Sequence, residues 1–381
     1  MKLENSNYCI CSKCVCDTTI PGISFNDMGI CQYCELHEEL VKAYPSGKSG
    51  HAMLKKILRR IKINGKGKKY DCVVGVSGGT DSSYLLYVTK KLGLRPLAVH
   101  YDNGWNSPIA VENIKALTEN LNVDLYTYVN NWNEFKDLQK SFLYASVSDA
   151  EIPTDVGIHG CLMRIADLYN IKFVINGHSF RNESLMPVGW TYMDGKYINS
   201  VHNKFGKLKL KTFPNVTLLD FFYYSFLRGI KQVPLLNYIK FDKTKAIKVL
   251  ERKIDWKYSG GHHHESYYTE FFQSFFLPKK FNIDKRLTEY SGFIRTNQIS
   301  RQTALNELKK SDYPFKPELV NYTLTKLDIS PEEFNLILEK PIRSFKDYDT
   351  YYSIIILLKP LVKAMSSVGI IPVILYQKFF T

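Results

Sequence analysis

Residues Cys72-Val73-Val74-Gly75-Val76-Ser77-Gly78-Gly79-Thr80-Asp81-Ser82-Ser83 constrain this chain more than any other stretch. A β-branched run of strand length breaks into Ser-Gly-Gly and passes at once into an amphipathic pattern on Leu85, Val88 and Leu92, which Gly93 ends. The order is strand, loop, helix. Glycines let the backbone take turns that side chains forbid and let it approach a ligand closely. The N–H groups of such a loop, with those of the helix start, form a concave anion site. Ser77, Thr80 and Ser82 add hydroxyl donors, and Asp81 can hold the Mg²⁺ that accompanies a nucleotide polyphosphate. No Gly-Lys-Ser/Thr follows the glycines, so γ-phosphoryl transfer of the P-loop kind is not indicated.

Strands alternate with helices beyond this loop. Residues 96–101 read as a second strand, Ser107-Pro108 as the cap of a helix, 124–129 as a third strand, Thr154 as the cap of a further helix and 173–175 as a fourth strand. That alternation predicts a parallel sheet covered on both faces. Ligands of such sheets sit outside the carboxyl ends of the strands. Val76 to Ser82, His100, Asp102, Gly177 and His178 are therefore the candidate nucleotide-binding residues.

Six of the eight cysteines fall within the first 34 residues, and Cys11-x2-Cys14 is separated from Cys31-x2-Cys34 by sixteen residues. This spacing suits two turns closing a tetrahedral Zn²⁺ site of structural type. Cys9 and Cys16 leave the register open, since either can replace a neighbour.

The chain divides into a zinc-binding module (1–50), an ATP-binding α/β domain (51–200) and a mainly helical region (201–381). Residues 44–50 read as a connector, 190–198 as a hairpin around Asp194-Gly195, and 218–227, 243–251, 266–276, 300–309 and 331–338 as helices. The three consecutive histidines 262–264 cannot converge on one metal from a regular helix; one of them, with Glu265, suits acid/base or substrate-binding work. Lys285 and Arg286 can meet charge on a departing pyrophosphate. A formal charge of +14 favours anionic partners. The N-terminus lacks an apolar signal core and the apolar tail is too short to span a bilayer, which predicts a cytoplasmic protein.

The Ser77-Gly78-Gly79-Thr80-Asp81-Ser82 loop resembles that of the PP-loop ATP pyrophosphatases, whose fold is adenine nucleotide alpha-hydrolase-like. Taken with the cysteine module, Asp102-Asn103-Gly104-Trp105-Asn106, Pro153-Thr154-Asp155, residues 177–183, 260–266 and 281–286, it resembles one family within them. This is the N-acetyl sugar amidotransferases of the WbpG and PseA types, from bacterial surface-polysaccharide pathways. The resemblance implies a zinc-ribbon-like module on a PP-loop domain with a helical C-terminal part. It also implies ATP-dependent conversion of an acetamido group, on a nucleotide-linked acidic sugar, to an acetamidino group through an adenylated intermediate. Ammonia would come from a separate class I glutaminase acting with a cyclase-like α/β barrel. By motif position it implies catalytic roles for Asp81, Asp155, Arg181, Glu183, His264, Glu265, Lys285 and Arg286.

Two other readings compete. A tRNA-modifying PP-loop thiolase would also combine zinc-binding cysteines with this loop and a basic surface, but it would want a reactive thiol beside the nucleotide. Cys72 and Cys161, the cysteines outside the module, sit on a strand and an apolar helix face. A non-catalytic nucleotide-binding scaffold is disfavoured by the intact Ser77, Asp81 and Ser82.

Overall fold

A computed structural model describes residues 8–181, 187–260, 265–310, 315–367 and 376. Two helices, α1 (Gln32–Ala43) and α2 (Gly47–Asn64), lead into β1 (Cys72–Gly75) and α3 (Thr80–Lys91). There follow β2 (Pro96–Asp102), α4 (Pro108–Leu121), β3 (Leu125–Val129), α5 (Trp132–Ala145), α6 (Ile152–Leu168) and β4 (Phe173–Asn176). Then come α7 (Gly195–Phe205), α8 (Leu218–Phe222) with a π turn to Leu227, β5 (Lys231–Pro234) and α9 (Lys243–Ile254). The C-terminal part holds α10 (Tyr267–Phe271) with a π segment to Phe281, α11 (Arg286–Arg295), α12 (Arg301–Lys310), α13 (Pro317–Lys326) and α14 (Pro331–Glu339). Two short helices, α15 (Tyr352–Leu357) and α16 (Lys359–Ser367), close it.

The five strands run parallel in the order β3-β2-β1-β4-β5. Alternation along β1 divides the core. Cys72 and Val74 face a cluster with Leu85, Leu117 and Leu250 from α3, α4 and α9, whereas Val73 faces Leu162 and Ile165 of α6. Both faces are thus covered, as a sheet of near-continuous apolar strands requires. A third cluster joins the cysteine module to α5, α7 and the C-terminal helices.

Several expectations change. Asp194-Gly195 does not form a hairpin: the Asp194 carboxylate accepts from Tyr197 N at 2.6 Å and caps α7. Gly195 is there because a Cβ would lie 2.2 Å from the Val216 carbonyl oxygen. Residues 44–50 are no loose connector, since Tyr44 is buried against Phe180 and Tyr238 and α2 begins at Gly47. The helix expected to start at Thr154 starts at Ile152 with Pro153 in its first turn. Helix α5 and strand β5 add to the expected elements: β5 has only four residues, with Pro234 at its end, and its place is set by pairing with β4.

Candidate active site

The strand order reverses between β1 and β4, so the loops after these strands border a crevice. Residues 76–79 follow β1, and Gly177 and His178 follow β4. Gly177 has no side chain to crowd α3: a Cβ there would lie 3.7 Å from the Asp81 carbonyl and Ser82 N.

The loop is closed by its own hydroxyls. Ser82 Oγ accepts from Ser77 N at 3.1 Å and lies 3.1 Å from Ser77 Oγ, while Gly79 N donates to Ser77 Oγ at 3.3 Å. Gly78 takes a φ of +81°, a region that suits glycine. Its carbonyl oxygen accepts from Trp256 Nε1 at 3.0 Å and from Asn113 Nδ2 at 3.1 Å. Trp256 is fully buried and also donates to Ser83 Oγ at 3.1 Å. These two braces lie 35 and 178 residues from the glycine they hold, which is why no local pattern revealed them.

Glu265 comes to the loop from the C-terminal region. Ser77 Oγ donates to its Oε1 at 3.3 Å, Ser107 N donates to its backbone oxygen at 2.9 Å, and a Cβ on Gly79 would lie 2.5 Å from Oε1. Asp81 opens α3 beside the same loop. Asp81 and Glu265 each offer hard oxygen ligands of the kind a divalent cation such as Mg²⁺ takes.

His100 has both ring nitrogens occupied by protein: Nδ1 is 2.9 Å from the Val76 oxygen and Nε2 is 3.0 Å from Asn106 Nδ2. Burial lowers its pKa. The imidazole is therefore neutral, donates through Nδ1 and positions the loop. Val76 N is likewise taken, by the Val99 carbonyl. Asp102 Oδ1 accepts from Gly104 N and Asn106 Nδ2, each at 2.9 Å, and so shapes the turn after β2.

Asp155 and Lys285 line a cavity of about 90 Å³ with Glu151, Trp190 and Phe272. Glu151 escaped notice in the sequence. Its Oε1 accepts from Thr269 Oγ1 at 2.8 Å, and its Oε2 is out of contact with solvent and has no hydrogen-bond partner among the described residues. Burial, with Asp155 adding repulsion, pushes its pKa up to about 8, against the pull of Thr269 and Lys285. At neutral pH this side chain is a carboxylic acid. Helix α10 links the two parts of the site: Glu265 precedes it at the loop and Thr269 on it reaches Glu151.

The sign of the resulting pH dependence is fixed. Between about 4.5 and 8 the folded protein keeps a proton on Glu151 that the unfolded chain has released. Stability then falls as pH rises, by about 1.4 kcal/mol per unit from this group. Above the folded pKa the contribution levels off. Glu151→Gln removes the slope, so the difference in denaturation free energy between variant and parent should move steadily in the variant's favour from pH 5 to 8. A constant difference across that range would show that Glu151 is ionised in the folded state.

The remaining predicted residues separate. Arg181 donates through Nη2 to the Tyr44 oxygen at 2.7 Å and stacks on Phe180, which ties it to the end of α1. Arg286 grips Asp284, with Nη2 2.6 Å from Oδ2 and Nε 3.0 Å from Oδ1. This fork holds the guanidinium at the turn into α11. Glu183 and His264 lie outside the described residues.

The cysteine register is settled by geometry. Cys11, Cys14, Cys31 and Cys34 are buried with their sulfurs within 4.8 Å of one another. The Cys11–Cys34 and Cys14–Cys31 separations are 3.9 and 3.7 Å. A tetrahedral ion with metal–sulfur bonds of ~2.3 Å requires sulfurs ~3.8 Å apart, so the quartet fits a metal. Cys9 is exposed, and the Cys16 thiol donates to Ser291 Oγ at 3.2 Å. Arg295 of α11 lies over the quartet, with Nε 3.2 Å from Cys34 Sγ and Nη2 3.4 Å from Cys14 Sγ. Arg301 donates to the backbone oxygens of Cys11 and Cys14 at 2.9 Å each.

Residues 265–361 match the family described as LPS biosynthesis protein WbpG-like, C-terminal domain. The chain is also 26% identical over 311 residues to an uncharacterized protein of Methanocaldococcus jannaschii, covering 80% of this chain and 94% of the relative. Among solved structures, an NMN synthetase from Francisella tularensis is similar at 16% identity, 71% coverage of this chain, 100% of that chain and a TM-score of 0.31. The U34-tRNA thiolase NcsA of Methanococcus maripaludis, solved with its [4Fe-4S] cluster, is similar at 12% identity, 74% and 91% coverage and a TM-score of 0.31. Similarity at that level says nothing of activity. The chain thus joins a parallel α/β domain bearing an SGGTDS loop to a WbpG-like C-terminal domain whose first matched residue, Glu265, lies on that loop.

Proposed function

We propose that this protein is an ATP-dependent amidotransferase that turns the acetamido group of a nucleotide-linked, acidic N-acetyl sugar into an acetamidino group. The observation that carries the proposal is the seating of Glu265: the domain that resembles WbpG-like proteins supplies a carboxylate to the phosphate-type loop. In the proposed reaction the amide oxygen attacks the α-phosphorus of ATP and pyrophosphate leaves. Ammonia then adds to the carbon, and AMP departs with the former amide oxygen. Ser77, Ser82 and the loop N–H groups would hold the leaving pyrophosphate. Asp81 and Glu265 would hold Mg²⁺, which supplies charge neutralisation on the polyphosphate.

The cavity beside Glu151, Asp155 and Lys285 is small, about 90 Å³, and has carboxyl and ammonium groups in its wall. It suits a small polar group, an acetamido group or ammonia, rather than a sugar ring. Zinc is the ion proposed for the four thiolates, in a closed structural site. A separate glutaminase and an α/β barrel are the proposed ammonia suppliers. A thiolase reading finds no reactive sulfur at this site among the described residues. Cys161 is buried and pushed up to about 12, and burial raises the Cys72 thiol further.

The test is mass spectrometry of nucleotide-linked N-acetyl uronic acids incubated with enzyme, ATP, Mg²⁺ and ammonium. The expected product is about one mass unit lighter, oxygen having been replaced by NH, and forms with equal AMP and pyrophosphate. Pyrophosphate released on adding unmodified tRNA, with every sugar left unchanged, would overturn the proposal.

A further inference from the structure

Helix α8 and its π turn carry an apolar stripe that faces away from the core. Leu219, Phe222, Tyr223, Phe226 and Leu227 recur at intervals of 3, 4, 7 and 8 from the first, the spacing that puts side chains on one helical face. That face is outward: Leu219 and Leu227 are each 80% exposed, and Phe222, Tyr223 and Phe226 are 45, 41 and 46% exposed. The inward side is held by Tyr224, which packs against the α6 face of the sheet, while Tyr223 reaches Asp167 through its hydroxyl at 3.0 Å. A capping box between Thr217 and Asp220 fixes the start of the helix. Phe222 and Phe226 stack on each other with centroids 5.4 Å apart.

Cations surround the end of this ridge. Arg228 follows it directly, and with Arg60, Lys172 and Lys231 it lines an open hollow of about 320 Å³ that has no acidic side chain in its wall among the described residues. Lys172 Nζ donates to the Arg228 oxygen at 2.8 Å, and Arg228 pairs with Asp167. The Lys172 ammonium has its pKa lowered, chiefly by burial and then by the positive charge of Arg228. Arg60 and Lys231 are exposed.

We propose that this face docks the protein on an anionic membrane surface, with the Leu219–Leu227 ridge entering the headgroup boundary and Arg60, Lys172, Arg228 and Lys231 meeting lipid phosphates. A protruding ridge of Leu, Phe and Tyr flanked by cations fits a lipid interface. No helix of the described residues is long and apolar enough to cross a membrane, so this contact is peripheral. The hollow opens at Phe173 and Lys231, the first residues of β4 and β5. The nucleotide loop lies at the opposite, carboxyl ends of the strands, so docking leaves the site facing the aqueous phase.

Cosedimentation of the full chain with vesicles tests this. Vesicles containing phosphatidylglycerol should bind the protein at least tenfold more strongly than pure phosphatidylcholine, and 0.5 M salt should remove most of the difference. Leu219→Glu with Phe226→Glu should lower binding at least tenfold. The charge reversals Arg60→Glu and Lys231→Glu should lower it about as much, since each cation near the surface contributes about fivefold. All of these positions are exposed, and unchanged thermal unfolding confirms that the fold is kept. Equal binding to both vesicle types, no binding to either, or parental binding by the Leu219/Phe226 variant would each overturn the proposal; absence of vesicle binding is the result a protein partner on this face would give.

Discussion

Gly78→Ala should abolish ATP-dependent turnover and lower stability by about 2–4 kcal/mol, the sum of backbone strain and overpacking. The backbone at Gly78 has a φ of +81°. An added Cβ would lie 2.4 Å from the Ala110 carbonyl oxygen and 2.8 Å from its Cα. Both are backbone atoms in the first turn of α4, so relief requires the loop to move. Movement breaks the bonds from Trp256 and Asn113 and pulls Ser77 off Ser82. Gly79→Ala is the informative contrast. Its Cβ would meet Glu265 Oε1 at 2.5 Å, the far end of a side chain rather than backbone. Stability should then fall by less than half as much, while pyrophosphate release falls because Glu265 leaves the loop. Denaturant unfolding beside a pyrophosphate assay reads both, and a Gly78→Ala protein of parental stability would show that the loop is not held as described.

Breaking the proposed metal site at the cysteine quartet should destabilise the C-terminal helices as well as the cysteine module. Cys31→Ser removes one of four ligands, and for Zn²⁺ the binding free energy is largely folding free energy. Arg295, half-buried over the sulfurs, would be left with a cation lacking its counter-charge, which destabilises the helix that carries it. Hydrogen exchange should therefore accelerate in α11 and α12 along with residues 9–34. Arg295→Met is the milder probe. It leaves all four sulfurs in place and should release metal to a chelator 10- to 100-fold more readily, as outer-shell changes do. Faster exchange confined to residues 9–34 would mean that the module and the C-terminal domain are energetically independent.

The Ser-Gly-Gly-Thr-Asp-Ser loop was legible because its pattern is local. Strand, Ser-Gly-Gly and helix follow one another within twelve residues, and the glycines are needed for reasons that lie in the backbone itself. The cysteine quartet was legible for the same reason, each pair forming one turn. Even there spacing left Cys9 and Cys16 open, and three dimensions closed the question through the hydrogen bond from Cys16 to Ser291. Asp194-Gly195 shows the limit of local rules: the dipeptide suits a tight turn and a helix cap equally, and contact with Val216 selects the cap.

By itself the sequence determined the parallel α/β plan, the loop and the two paired cysteine turns, since each depends on residues a few positions apart. Only the tertiary structure decided what surrounds the loop. Glu265 arrives from 188 residues away to meet Ser77, Trp256 anchors Gly78, and Glu151 is a neutral acid because distant helices exclude water from it. His100 and Arg286, both plausible ligands by position, have protein partners in Val76, Asn106 and Asp284 that position alone does not reveal. Partners and burial set whether a polar side chain is free to act, and both are sums over contacts that the order of residues does not contain.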